Sequence, residues 1–467
     1  MSHFLDFMLL MALLGKFWQI ASGTHYVDSI CFNLSLEKLR GQTYDGASNM
    51  SGIYSGCQAI IKQLQPLAIY VHCCSHCTHL VGNAACSAST IVANSIQLVN
   101  EFGVLCNSSG RFKSLFTQIS SCEDVPTKSI KPLCPTRWLV RLKAIKATLQ
   151  QYGLILSTLE EAESACSTEV SVKASGMLHR FLKGEVVLSL NIAAKILEPL
   201  ECLNRATQSP KATVAGIVEA TSCVWNRLQA LRDEEEFNLI LTDVDNTISK
   251  LNLEPLSLPR RRVPPKRLSG TGDAYHPTDV NEHFKTEYYK VLDACLQQLD
   301  DRILKSPGIE QYCGLEAMLI KGKYNEEIAS SYPELGDRNG PLQTELDMFH
   351  MLPQVKETGG TVNVDECANI LRQMAQDMRA MFSHVEGLVR LLLVNPASSA
   401  TSERSFSSLR RLRNYLRSTC SQQRLNHLAI CHAHKDRLDE VNLNKLLAEF
   451  VAARDSRATI FGKIDVD

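Results

Sequence analysis

The sequence predicts an α/β segment followed by a large all-α region. Three observations carry this: a strand–helix–strand–helix order between residues 36 and 102, long helical spacing after Trp138, and helical text again from about Ala380 to Val451. In the first segment, Lys38 to Tyr44 leads into Asp45-Gly46, a turn signal. Ser51 to Gln65 carries Ile53, Cys57, Ile60, Ile61 and Leu64 at helical spacing, and Pro66 stops it. Ala68 to Cys73 is a short apolar run of the kind a buried strand uses. Helical spacing resumes over His79 to Phe102, with Leu80, Val81, Ala84, Ile91, Ile96 and Leu98.

Beyond Trp138 the character changes. Leu139 to Leu251 reads as long helices with few Gly or Pro, Leu188, Ile192, Ile196 and Leu197 being one example. Leu256 to Gly272 breaks the pattern with Pro259, Pro264 and Pro265 and the basic cluster Arg260-Arg261-Arg262 and Lys266-Arg267, and it reads as an exposed linker. Helices resume from Asp279, pause at the Gly/Pro/acid-rich stretch from Ser331 to Pro341, and break once more at Asn395-Pro396. No fixed-period repeat is present.

A chain of 467 residues has a prior of two domains, and 45% apolar with 21% charged residues excludes wholesale disorder. The 49 Lys and Arg nearly balance the 50 Asp and Glu, giving a net charge of -1. That excludes a globally basic nucleic-acid binder, so any phosphate contact must come from local basic patches. The 17 cysteines, an odd number spread thinly, suit a reducing compartment with mostly buried thiols. Phe7 to Leu14 is an apolar run that could serve as a signal-peptide core. It lacks a basic flank, has Asp6 at its entrance and is too short to span a bilayer. The expectation is a soluble protein with no membrane partner.

Four segments could carry chemistry. In Tyr44-Asp45-Gly46-Ala47-Ser48-Asn49-Met50, a carboxylate at a strand end before a Gly turn is where α/β folds expose catalytic and metal-binding acids. The plainer alternative is a turn in which Asp45 bonds nearby amides. Val71 to His79 packs His72, Cys73, Cys74, His76, Cys77 and His79 together, which suggests zinc. One strand end and one helical turn cannot aim so many crowded side chains at a tetrahedral ion, although Cys73, His76 and Cys77 share a helical face. In Thr136-Arg137-Trp138, Arg137 can meet a phosphate and Trp138 can stack on an unpaired base, or Trp138 can anchor the core.

The fourth segment is Asn395 to Phe406. Ser398 or Ser399 caps a helix start, and Glu403 falls in its first turns, where the macrodipole favours an acid. Downstream, Phe406, Leu409, Leu412 and Leu416 form an apolar face, while Arg404, Arg410, Arg411, Arg413 and Arg417 crowd the rest. Those arginines suit phosphates or a solvated face with local ion pairs. Leu425, Leu428 and Ala429, then Leu443, Leu446, Leu447 and Phe450, continue amphipathic helices able to close an interface.

Together, in this order, the four segments resemble a hAT-superfamily DNA transposase, in the branch related to transposon-derived MYM-type zinc-finger proteins. The resemblance is carried by Asp45-Gly46-Ala47-Ser48-Asn49-Met50, the Cys73-x-x-His76 pair, Thr136-Arg137-Trp138 and Ser402-Glu403-Arg404-Ser405-Phe406. It is dense over about 36–145 and 385–435 and diffuse between. It implies an RNase H-like core, here N-terminally truncated, interrupted by a helical domain. The implied layout is an atypical segment 1–35, a partial core 36–138, a helical insertion 139–385 and a C-terminal hAT dimerisation region 386–452 completing the core, before a tail 453–467.

In that family three carboxylates bind two Mg²⁺ or Mn²⁺ ions for strand cleavage and transfer, the ions clamping the attacking and leaving oxygens. The resemblance makes Asp45 the second carboxylate and Glu403 the third. It makes Trp138 a DNA-stacking residue with Arg137, Arg404, Arg410 and Arg411 beside DNA, and Cys73 and His76 a motif next to the active site. The first carboxylate of the family precedes Asp45 by further strands, and no counterpart is found in this sequence. The expectation is therefore a truncated or domesticated transposase-like protein of the nucleus that forms a homodimer or higher self-association and contacts DNA, without independent strand transfer. Its expected dimerisation residues are Phe406, Leu409, Leu425 and Leu428. Two alternatives stand beside it: an active metal-dependent transposase with an incomplete gene model, and a non-enzymatic helical scaffold for protein partners.

Overall fold

A computed structural model describes residues 36–122, 128, 130–133, 141–209, 212–259, 278–336, 340–356, 362–400, 403, 410–412 and 419–462. Strand β1 (Gly41–Tyr44) pairs in parallel with β2 (Ile69–His72), Gly41 opposite Ile69 and Tyr44 opposite His72. A parallel pair needs a crossover, and α1 (Cys57–Leu64) supplies it. Ile69 and Val71 are buried on one face of β2, Gln42 and Tyr44 on one face of β1. The Gln42 amide donates to the carbonyls of Gln58 (3.3 Å) and Ala68 (3.4 Å), tying β1 to its crossover.

Helical spacing predicts one helix from Ser51, but α1 begins only at Cys57. Gly52 and Gly56 close a turn between, so tight that a Cβ on Gly56 would lie 2.4 Å from the Gly52 nitrogen. The helix expected over His79 to Phe102 is two helices, α2 (Cys74–Ser87) and α3 (Thr90–Ser108). The break falls at Ser89, whose backbone is extended and whose hydroxyl donates to the buried Glu287 carboxylate at 2.6 Å. A polar tertiary contact there outcompetes helix continuation.

The helical body follows the spacing closely. After α4 (Gly110–Cys122) come α5 (Arg141–Gln150), α6 (Tyr152–Ala165), α7 (Thr168–Phe181), α8 (Gly184–Thr207), α9 (Val214–Ala230) and α10 (Glu234–Leu251). Helix α8 is the centre. It buries Val186, Leu188, Leu190, Ile192, Ile196 and Leu197, spread around more than one side, and packs against α2, α3, α5, α9 and α10. Each such side chain is worth about 1.5–3 kcal/mol of burial.

Helix α11 (Val280–Leu299) starts on Asp279, whose carboxylate accepts the Glu282 N–H at 2.7 Å; it lies along α2 and ends in a π-helical turn, Asp300–Leu304. Helix α12 (Pro307–Lys321) abuts β2 so closely that a Cβ on Gly308 would sit 1.9 Å from the Tyr70 carbonyl oxygen. Helices α13 (Leu342–Met351), α14 (Val364–Gln373) and α15 (Ser383–Leu393) complete this body. Asn363 and Glu366 form a capping box at α14. Buried Glu345 holds the start of α15, accepting the His384 and Val385 N–H groups at 2.8 and 3.1 Å and pairing with His384 Nδ1 at 2.6 Å.

The chain divides into two compact units, one ending at Ser399 and one that includes residues from Ala400 onward. The described part of the second holds α16 (Gln422–Ala433), α17 (Leu443–Ala452) and α18 (Asp455–Phe461). The molecule is thus mostly helical, with a sheet of only two strands among the described residues, smaller than the α/β pattern suggested. Among the described residues no helix is long and apolar enough to cross a membrane. The Phe7 to Leu14 run and the basic residues between Arg260 and Arg267 lie outside the described residues.

Candidate functional site

The carboxyl ends of β1 and β2 lie side by side, because parallel pairing carries both chains out of the sheet at the same end. Asp45 leaves β1 there, half-buried, with one carboxylate oxygen accepting the Ala47 N–H at 3.2 Å. That bond is the Asx turn the Asp-Gly dipeptide favours. His72 ends β2 and His76 lies in the first turn of α2, four residues on, so their rings stack with centroids 5.7 Å apart. Gly46 fits against both: a Cβ there would lie 3.1 Å from Nε2 of His72 and 3.1 Å from Nε2 of His76. His72 Nε2 is buried and has no hydrogen-bond partner among the described residues.

Burial first, then the neighbouring His76 and Arg302, pushes the His72 imidazole down to about 4, with Asp45 pulling the other way. It is therefore neutral at physiological pH. Burial drives the Cys77 thiol up to about 12 and raises Cys74 well above the usual thiol range, so both are protonated packing groups rather than nucleophiles. Burial, with Cys77, Asp45 and Cys73 adding, raises the Tyr70 hydroxyl as well.

A strap from Asn395 to Ser399 is fastened to this end of the sheet. Thr43 Oγ1 donates to the Pro396 carbonyl (2.5 Å), Cys74 N–H to the Ala397 carbonyl (3.1 Å), and Ser399 N–H to Cys73 Sγ (3.2 Å). Ser398 Oγ donates to the Thr207 carbonyl at the end of α8 (2.9 Å). Gly41 passes so close to Asn395 that a Cβ would meet its Oδ1 at 2.2 Å. Helix resumes at Ala400, which puts Ser399 in the N-cap position.

The structure brings Asp45, Cys73 and His76 into one neighbourhood, with Cys73 at the N-cap of α2 and wholly buried. Glu403, Arg410 and Arg411 are helical and exposed in the second unit, Leu425 is buried and Leu428 half-buried on α16. Arg137, Trp138, Arg404, Phe406 and Leu409 lie outside the described residues. Among the described residues no group of three His, Cys, Asp or Glu is disposed to hold a metal ion.

The sequence singles out His72 only as one of six crowded zinc candidates and Gly46 only as a turn residue; their contact with each other and the strap's fastenings it does not indicate. The spacing of His72 four residues before His76 was a usable signal; the strap's partners, more than three hundred residues away in the case of Thr43 and Cys73, gave none.

Two stretches match known families. Residues 27–56 match the ZMYM1/FAM200, RNase-like domain, and residues 364–436 match the hAT family C-terminal dimerisation region. The first contains β1, Asp45 and the Gly52–Gly56 turn; the second runs from α14 through the strap and Glu403 to just past α16. No solved structure matches the chain.

Proposed function

The two matched stretches mark this chain as a hAT-family transposase-derived protein, and from that premise we propose that it works by self-association, presenting a transposase-type surface to DNA without cutting it alone. One observation carries the reading. Directly after the stretch matching the dimerisation region, α17 turns Leu443, Leu446, Leu447 and Phe450 to solvent, at positions i, i+3, i+4 and i+7. A soluble helix keeps such a stripe against another element, and α18 adds exposed Ile460 and Phe461. A second copy of the chain is the covering surface in this reading, joined as a symmetric pair.

The finer architecture in this proposal is an RNase H-like core, with β1 and β2 as two of its strands and α5 to α12 as an inserted helical domain. Asp45 and Glu403 are its matched carboxylates. Association is the proposed role, supported by the stretch matching the dimerisation region. Exposed Arg410 and Arg411, with Arg137 and Trp138, are its proposed DNA contacts, and the nucleus its proposed place. Sedimentation equilibrium of the full chain over a hundredfold concentration range tests the reading. A mass rising toward the dimer is expected; a constant monomer mass would end it.

A further inference from the structure

The apolar stripe on α17 is bracketed by charge of opposite sign. On its N-terminal side the short helix Lys435–Asp439 runs into exposed Asp439 and Glu440, with Lys435 and Arg437 further back. On its C-terminal side exposed Arg454 precedes Asp455, and Arg457 of α18 folds back over the Phe450 ring, donating to the Phe450 carbonyl at 3.0 Å. The residues nearest the stripe are thus acidic at one end and basic at the other. Among the described residues Asp439, Glu440 and Arg454 form no ion pair, so their charges are open to a partner. Asn442 caps α17, accepting the Asn444 and Lys445 N–H groups at 3.0 and 3.1 Å, which holds the acidic end just outside the first turn. Lys445 and Glu449 fall off the stripe by helical spacing and leave its seam apolar.

Two copies can join through this stripe in two ways. In a parallel pair Asp439 and Glu440 meet their own counterparts, Arg454 and Arg457 meet theirs, and like charges collect at both ends. Phe450 then faces Phe450 and Leu443 faces Leu443, which spreads the helices at one end. In an antiparallel pair, with the two-fold axis between Leu446 and Leu447, each Phe450 lies beside the partner's Leu443. Large side chains then face smaller ones along the whole seam of about 10 Å. Each acidic end reaches the partner's Arg454 and Arg457, and the two helix dipoles oppose. Shape and charge select the same arrangement.

We infer that the partner on this stripe is a second copy whose α17 runs antiparallel, in the register that sets Leu443 beside the partner's Phe450, and Asp439 and Glu440 beside the partner's Arg454 and Arg457. The inference rests on the self-association reading above and adds polarity, register and a charge code to it. A surface carrying the same stripe between ends of the wrong sign is rejected.

The test uses the full chain at low ionic strength, where exposed charges are least screened. Asp439→Lys with Glu440→Lys turns both charge contacts of the antiparallel pair from attractive to repulsive. It should weaken self-association about 10- to 100-fold in sedimentation velocity. Adding Arg454→Glu should recover part of that loss, since opposite signs meet again. Melts of the dilute variants should match wild type, because these side chains are exposed, and that separates lost contact from lost fold. In a mixture of isotope-labelled and unlabelled Arg454→Lys copies, a carbodiimide should join the amine at position 454 to Asp439 or Glu440 in mixed-isotope peptides. Self-association left unchanged by Asp439→Lys with Glu440→Lys, or formed without those mixed-isotope links, would overturn the antiparallel register and leave the self-association reading standing. A wild type that stays monomeric at every concentration would overturn both.

Discussion

Phe450→Ala is the sharpest probe of self-association. The Phe450 ring is 48% exposed, and the Arg457 guanidinium lies 3.9 Å over its centroid, so one face is covered within the chain and the other is open. Burying a whole Phe side chain is worth about 1.5–3 kcal/mol, so covering the open half yields about 1 kcal/mol per copy. In a two-fold dimer each substitution counts twice, for about 2 kcal/mol, or about 30-fold in the dissociation constant. Leu443, more open still at 72%, adds a similar amount; Leu443→Ala with Phe450→Ala should weaken the dimer about a thousandfold. Sedimentation velocity across concentration reads these shifts; in thermal melts of the dilute protein Leu443→Ala should leave the midpoint in place, while Phe450→Ala should cost only the lost Arg457 contact, about 0.5–1 kcal/mol. Dimerisation unchanged in the double variant would refute the assignment of this stripe to the interface.

Other outcomes follow from the same geometry. Glu316, buried on α12, has its carboxyl pushed from 4.5 up to about 7 by burial and then by the nearby Glu219, with Lys321 opposing. The folded state therefore holds the proton more tightly: stability is fully present below about pH 4.5 and falls by about 3 kcal/mol as pH rises to about 7, and Glu316→Gln should flatten that fall in urea melts at pH 5 and 8. Glu345→Ala leaves two amides of α15 and His384 without their buried acceptor, and should lower the urea midpoint by the equivalent of about 3 kcal/mol with little change in slope. With Mg²⁺ or Mn²⁺ and a DNA substrate, the purified chain is expected to produce no cleavage or joining, and cleavage lost on Glu403→Ala would establish an active recombinase instead.

Much of the helical body was legible because its signal is local. The 3.6-residue spacing along α8, the Asp279 cap and the breaks at Pro66 and Asn395-Pro396 each sit within a few residues of the feature they specify. The strands were legible too, as Ile69 to His72 alternates buried and half-buried positions. Ser89 was not. Its helix-breaking role depends on Glu287, nearly two hundred positions away, and a Ser between Ala and Thr carries no mark of that partner. The late start of α1 failed for a different reason: Ile53 fits helical spacing by residue type, yet two glycines bracketing it close a turn that turns Ile53 outward. At the site, residue types marked Asp45 and the Cys73–His76 pair, while the closeness of His72 to Gly46 came only from strand pairing.

The strap ties the middle of the stretch matching the dimerisation region to the carboxyl end of the sheet. The stretch matching the dimerisation region begins in α14, well before the unit boundary, and its middle is fastened to Thr43, Cys73, Cys74 and Thr207. Four hydrogen bonds of about 1 kcal/mol each, plus the close approach of Gly41 to Asn395, are comparable with a sizeable part of the stability of a domain.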